Sequence, residues 1–255
     1  MNYLFNLSMD VVIPAAGESN RLRPLTKDFP KTLLPVGNEK ILRTIIDACV
    51  ANGLRNFHLL VGHGAQHVQA YCDSLAQEIP DIAFTFIPVP EYATKGNIWS
   101  VFQAAHLLDR DLLLVNSDTL VHPHIIKALI DSPEPHALAV DDYKSLGEEE
   151  MKVLVEDGRV VRIHKSLNPD TAHGEYIGAL KISAGIQPEL VKAFEEMLTE
   201  NPKLYYEDAL QRAFDAGVRF GMVSTNGLPN MEIDTHEDLK NAEPIAEAIR
   251  QDLWE

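Results

Sequence analysis

Strand-like apolar runs and helix-like patterns alternate through the first half of this chain, with runs at 10–14, 57–61, 82–87 and 111–116 and helical spacing at 41–51, 65–76 and 97–108. Such alternation builds a parallel sheet with helices on both faces, because parallel neighbours need a crossover and the crossover helix needs a face to bury. From about residue 135 the runs shorten, to 137–141, 152–156, 160–165 and 178–183, and Asp157-Gly158 is a two-residue hairpin signal between the second and third. These strands are expected to be antiparallel. Helices at 188–199 and 206–216, a strand at 219–224 and a helix at 237–250 follow, the last with Thr235 as N-cap and Glu237 and Asp238 in its first turn. The fold expected is α/β, a Rossmann-like, mostly parallel sheet flanked by helices, with antiparallel strands at one side.

No Pro, Gly and Ser linker divides the chain, and 255 residues with 45% apolar content suffice for one core. The reading is a single domain over 9–255, with parts at about 9–135, 136–235 and 236–250, preceded by an N-terminal extension at 1–8. The extension carries Leu4, Phe5 and Leu7 but lacks a basic start, and its apolar stretch is too short for a signal segment. It leaves a homodimer contact open. No run approaches the roughly 20 apolar residues of a membrane span.

After the first strand comes a loop of more than twenty residues with Ala15, Ala16 and Gly17 at its start and Arg21, Arg23, Lys27 and Lys31 along it. Small side chains let backbone N–H groups approach phosphate oxygens, and the cations add charge-assisted hydrogen bonds. The loop matches neither GxGxxG nor the P-loop pattern, and an ordinary strand-to-helix turn is the bland alternative; its length, three prolines and four cations favour function. Lys and Arg number 22 against 38 Asp and Glu, a formal charge of -16, which disfavours nucleic acid or an anionic membrane as partner and makes a cationic loop a local anion site. Cys49 and Cys72 form no CxxC motif, and the simpler reading is a reduced, cytoplasmic chain. Of the ten histidines, only His122 with His124 and His63 with His67 have a spacing a metal could use; none is assigned a catalytic role.

The stretch 13–36 resembles the signature of the sugar-phosphate nucleotidyltransferases: a small-residue loop, then Arg21, Leu22, Pro24, Leu25 and Thr26, then Pro30, Lys31, Leu33, Pro35 and Val36. Segments at 92–100 (YATKGNIWS), 116–119 (NSDT), 149–153 (EEMKV), 174–178 (GEYIG), 205–208 (YYED) and 232–235 (EIDT) resemble, in order, the branch holding phosphocholine and 2-aminoethylphosphonate cytidylyltransferases. Ser19 and Asn20 depart from the family, which usually has glycine and Ser or Thr there. The resemblance implies the nucleotidyltransferase fold, with the antiparallel strands on the acceptor side, and a reaction in which a phosphate or phosphonate oxygen attacks the α-phosphorus of CTP and pyrophosphate leaves.

That chemistry brings two anions together, so it needs charge neutralisation and in-line positioning more than a protein nucleophile. Arg21 and Lys31 are placed to hold the triphosphate and steady the departing pyrophosphate. Asp118, closing an apolar strand, and Asp234 are hard oxygen donors of the kind Mg2+ takes, though each alone could be only a helix cap; their family positions imply that both are Mg2+ ligands, with Glu232 a weaker candidate. Ala15, Ala16, Gly17, Glu18, Ser19, Asn20 and Arg21 are expected along the nucleotide, and Thr94, Asn97 and Ser100 near the base, although capping explains polar residues there equally well. Cytosine over uracil rests on the resemblance alone. On the acceptor side the resemblance implies Lys165 near the phosphate, Glu175, and an aromatic and carboxylate pair of Tyr206 and Asp208 for an amine. The tryptophan that phosphocholine enzymes offer near position 151 is Met151 here, which favours aminoethylphosphonate or another small acceptor. The competing readings are a hexose-1-phosphate uridylyl- or thymidylyltransferase and, more distantly, a non-catalytic nucleotide-binding regulator.

Overall fold

The computed structural model describes residues 9–253. The expected extension at 1–8, with its apolar side chains, lies outside them. In chain order the first half comprises β1 (Asp10–Ala15), a small ribbon of β2 (Pro35–Val36) and β3 (Glu39–Lys40), α1 (Ile41–Ala51), β4 (Asn56–Val61), α2 (Ala65–Glu78), β5 (Ala83–Pro88), α3 (Asn97–Phe102), β6 (Leu112–Val115), β7 (Thr119–Val121) and α4 (Pro123–Asp131). The second half continues with β8 (His136–Asp141), β9 (Lys152–Glu156), β10 (Arg159–His164), β11 (Gly174–Ile182), α5 (Gln187–Glu200), α6 (Tyr206–Asp215), β12 (Phe220–Ser224), β13 (Asn230–Glu232) and α7 (His236–Gln251).

Nine strands form one sheet in the order β5-β4-β1-β6-β11-β8-β12-β10-β9, and the far edge curls so that β9 also pairs with β11. Pairings among β5, β4, β1 and β6 are parallel, as is β8 with β12, whereas β10 and β11 run against their neighbours. Alternate side chains of β1 leave on opposite faces. Val11 and Ile13 join the core that α1, α2, α4 and α7 cover, and Val12 joins the second core beneath α3, α5 and α6. The Asp157-Gly158 turn links β9 to β10 with Glu156 opposite Arg159, both turn residues having positive φ (49° and 74°), as a primed two-residue hairpin requires.

Three departures from the sequence reading affect the site. The helix expected over 97–108 ends at Phe102 and gives way to a 3-10 turn at Ala105–Leu107, where hydrogen bonds tighten (Ala104 N–H to Val101 O) and Ala104, Leu107 and Leu108 all turn inward. The strand expected from 178 starts at Gly174, because its unpatterned beginning is held on both sides, Glu175 opposite Asp141 of β8 and Lys152 of β9. Finally, β7 and β13 pair antiparallel as a separate ribbon, Thr119 opposite Glu232, joining parts of the chain far apart in sequence.

Candidate active site

The adjacent parallel strands β1 and β6 end side by side, and the segments that leave them open a crevice of about 290 Å3 at their carboxyl ends. Ala15, Ala16, Gly17, Ser19, Arg21 and Lys31 line it from the loop after β1, and Asn97 and Ser100 from the start of α3. The loop is pinned rather than slack: Thr26 Oγ1 donates to Ser19 O (2.8 Å), His63 Nε2 lies 2.9 Å from Thr26 O, and His236 Nε2 lies 3.0 Å from Arg23 O. His122, fully buried, caps α4 through Nδ1 and reaches Asp252 through Nε2 (3.0 Å), so its spacing to His124 serves capping. Ser19 sits in left-handed backbone (φ 49°, ψ 52°), the conformation a glycine there would adopt without strain.

The β7–β13 ribbon brings the acids together. Ile233 N–H bonds to Asp118 O (3.0 Å), and carboxylate oxygens of Asp118, Glu232 and Asp234 all lie within 4.8 Å of one another. Lys31, its side chain 10% exposed, reaches into this cluster, 2.7 Å from Asp118 Oδ2 and 2.9 Å from Asp234 Oδ1, and Arg21 bonds the other Asp234 oxygen at 2.7 Å. Burial would lower the Lys31 pKa, but Asp118 and Asp234 outweigh it and hold the ammonium firmly protonated. Burial pushes the Asp234 carboxyl up, and Lys31 and Arg21 more than reverse this, leaving it below its usual range. Glu232, open by surface area but with its carboxyl recessed in the cleft, is pushed up to about 8, first by lost hydration and then by the charges of Asp118 and Asp234. Asp118 Oδ1 is buried without a partner. Hard oxygen donors with one oxygen free suit a divalent cation.

Beyond this cluster the crevice opens into a second chamber of about 370 Å3; Arg21, Lys165, Glu149, Glu232 and Asp234 belong to both, and Glu175, ion-paired to Lys144, lines the far wall. Here the expected aromatic and carboxylate pair needs correction. Tyr206 is 1% exposed, and its hydroxyl donates to Asn116 Oδ1 (3.1 Å) and lies 2.9 Å from the Tyr176 hydroxyl, beneath the cleft floor. Asp208 accepts from Tyr205 N–H (2.8 Å), so its carboxylate serves the start of α6. Tyr205, 49% exposed and with Lys165 Nζ 5.4 Å from its ring centroid, lines the first crevice rather than the second chamber.

Three residues expected at the nucleotide also stand outside the wall. Thr94 Oγ1 donates to Glu91 O (3.1 Å) in a turn, Glu18 is 3.6 Å from Arg23, and Asn20 opens a 3-10 turn. Asn97 lines the crevice, but its Oδ1 accepts from Tyr206 N–H (2.9 Å), tying α3 to α6. The close approach behind this tie is at Gly96, where a Cβ would meet Leu204 O at 2.2 Å.

Sequence reasoning passed over Glu207, which lines the crevice and is almost wholly buried, its Oε2 without a partner. Burial first, then the charge of Asp208, pushes its carboxyl up to about 7. Its signal was its place on the inward side of α6 beside Tyr206 and Leu210.

A profile described as Nucleotidyl transferase matches residues 10–142. The bifunctional IPC transferase and DIPP synthase of Aquifex aeolicus is 28% identical over 240 residues, covering 91% of this chain, and the chain spans 50% of that protein's length. The 2-aminoethylphosphonate cytidylyltransferase of Lancefieldella rimae is 27% identical over 205 residues, 79% of this chain and 78% of that one. The inositol-1-phosphate CTP transferase from T. maritima shares the fold, with a TM-score of 0.80 over 97% of this chain and 99% of that one at 21% identity. With the loop and the strand-end acid that the profile spans both at the mouth of one crevice, the chain belongs to the nucleotidyl transferase family.

Proposed function

We propose that this nucleotidyltransferase is a Mg2+-dependent cytidylyltransferase that joins CTP to a small phosphorylated or phosphonylated alcohol or amine, of the 2-aminoethylphosphonate type, and releases pyrophosphate. The observation that carries it is the meeting of Lys31 and Arg21 with Asp118 and Asp234 between a nucleotide-sized crevice and a second chamber. Two anionic substrates approaching head to head need that arrangement, cations for the triphosphate and acids for a divalent ion between the two. CTP is favoured because the Lancefieldella protein is named for cytidylyl transfer.

Asp118 and Asp234, with Glu232 beside them, would hold the Mg2+; the free Asp118 Oδ1 and the all-oxygen donor set fit it. When bound, the ion neutralises phosphate oxygens and orients them. Lys31 and Arg21 bind the triphosphate, and Lys165, bordering both chambers, meets the acceptor's phosphate or phosphonate. An acceptor oxygen forms the new bond to the α-phosphorus as the bond to pyrophosphate breaks. The second chamber, with Glu149, Glu150, Glu175, Glu232, Asp234 and Asp238 on its wall against Arg21, Lys144 and Lys165, suits an acceptor with a cationic end.

A pyrophosphate-release screen tests this, with CTP, UTP, dTTP, ATP and GTP against 2-aminoethylphosphonate, phosphoethanolamine, phosphocholine, glycerol and inositol phosphates and hexose 1-phosphates. Release with CTP and an amine-bearing acceptor is expected. Turnover confined to UTP or dTTP with a hexose 1-phosphate would refute the proposal, and nucleotide binding with no release from any pair would point to a regulator.

A further inference from the structure

Lys152, the first residue of β9, is 0% exposed, and no carboxylate explains it. Its ammonium donates to three backbone carbonyls, Gly147 O (3.0 Å), Glu148 O (2.9 Å) and Glu150 O (3.1 Å), which uses all three of its protons. A buried charge persists only where hydrogen bonds replace its lost hydration, and here the replacement comes entirely from one turn. That turn is closed from outside by the Glu150 carboxylate, which accepts from Gly147 N–H (2.9 Å), and is stitched to β11 by Tyr176 N–H to Met151 O (2.8 Å). Between these ties Glu149 is the residue that borders both chambers of the cleft.

We propose that Lys152 is a positioning residue for the acceptor: by gathering the carbonyls of 147, 148 and 150 around its ammonium it shapes the turn that holds Glu149 at the boundary of the two chambers, where the acceptor's cationic end is bound. The proposal rests on the amine-acceptor reading above for the nature of Glu149's ligand. Lys152 touches neither substrate. Its loss leaves three carbonyls without their donor, and the turn opens on the acceptor side while the nucleotide loop, on the other side of the sheet's centre, is untouched.

The test is a split of kinetic constants in Lys152→Met, Glu149→Ala and the double variant, with melting temperatures to establish folding. Lys152→Met is expected to raise the acceptor KM about ten-fold with kcat and the CTP KM changed less than about two-fold, and to add little in the Glu149→Ala background, because there is then nothing to position. Equal rises in both KM values, or an undiminished Lys152→Met effect when Glu149 is already alanine, would overturn it. Should Lys152→Met fail to fold, Lys152→Gln leaves only two N–H donors for the three carbonyls, and an unchanged acceptor KM in that folded variant overturns the proposal equally. The constants are read with whichever acceptor the wild type uses, so an acceptor without an amine would sink the amine reading while the positioning claim is still decided by the KM split.

Discussion

Replacing Glu207 by Gln should make the protein more stable as pH rises, by an amount set by the burial of one carboxyl. The Glu207 carboxyl holds its proton to about pH 7 in the folded chain, against an ordinary value of 4.5. Because the folded state binds this proton more tightly than the unfolded state does, its stabilising contribution is whole below pH 4.5 and is lost progressively as pH climbs to 7. The span corresponds to about 3 kcal/mol. Glutamine cannot ionise, so the stability of Glu207→Gln minus that of wild type should be flat below pH 4.5, grow by about 3 kcal/mol up to pH 7 and then level off. In melting temperature that is roughly 6–12 °C for a chain of this size. Urea unfolding of both proteins at half-unit steps from pH 4 to 8.5 measures it, and taking the difference removes other groups that titrate in the window, Glu232 among them. A difference curve without slope between pH 4.5 and 7 would show that the Glu207 carboxyl is hydrated in solution and would refute the argument.

Tyr206→Phe should lower stability by about 1–3 kcal/mol, since Asn116 Oδ1 and the Tyr176 hydroxyl both lose a buried partner; chemical denaturation reads this. The same change should move the acceptor KM by less than about two-fold, while Tyr205→Ala, removing the exposed ring beside Lys165, raises it about ten-fold; the reverse order would restore Tyr206 to the acceptor site. Asp208→Ala should cost about 1 kcal/mol as a lost helix cap and reduce kcat/KM equally little for every acceptor, whereas loss confined to amine acceptors would mean the carboxylate reaches substrate. Ser19→Gly should relieve left-handed strain of about 1 kcal/mol, seen as a rise of roughly 2–4 °C in Tm, and a fall in Tm would mean that the hydroxyl holds the loop.

The parallel half of the sheet was legible because β1, β4 and β6 are apolar runs that are largely buried and its helices carry the complementary period, as at Ile41–Ala51. The helix α4 was equally legible from Pro123 at its first turn, yet passed unread beside the two histidines. The β7–β13 ribbon was not legible, since three-residue strands carry no periodicity and their partners lie more than a hundred residues apart. Within the site, Arg21 and Lys31 stood out as cations in a long small-residue loop, whereas Asp118 and Asp234 were legible only through the family resemblance; the fold links all four by ion pairs. The acceptor wall did not, because it turns on helix phase: at the start of α6 one residue is a rotation of about 100°, which separates Tyr205 in the cleft from Tyr206 under its floor. Glu207 stayed hidden for a related reason, as a carboxylate is seldom expected on a helix's inner face.

The β7–β13 ribbon makes completion of the site a late event in the life of the chain. Segment 10–142 alone provides the loop, Lys31 and Asp118, so a nascent or truncated product of that length would hold its lysine against a single acid. Glu232 and Asp234 arrive only after β13 finds β7, a closure across more than a hundred residues that is entropically slow. A product cut short before residue 230 therefore lacks two of the three acids however well its remaining sheet has formed.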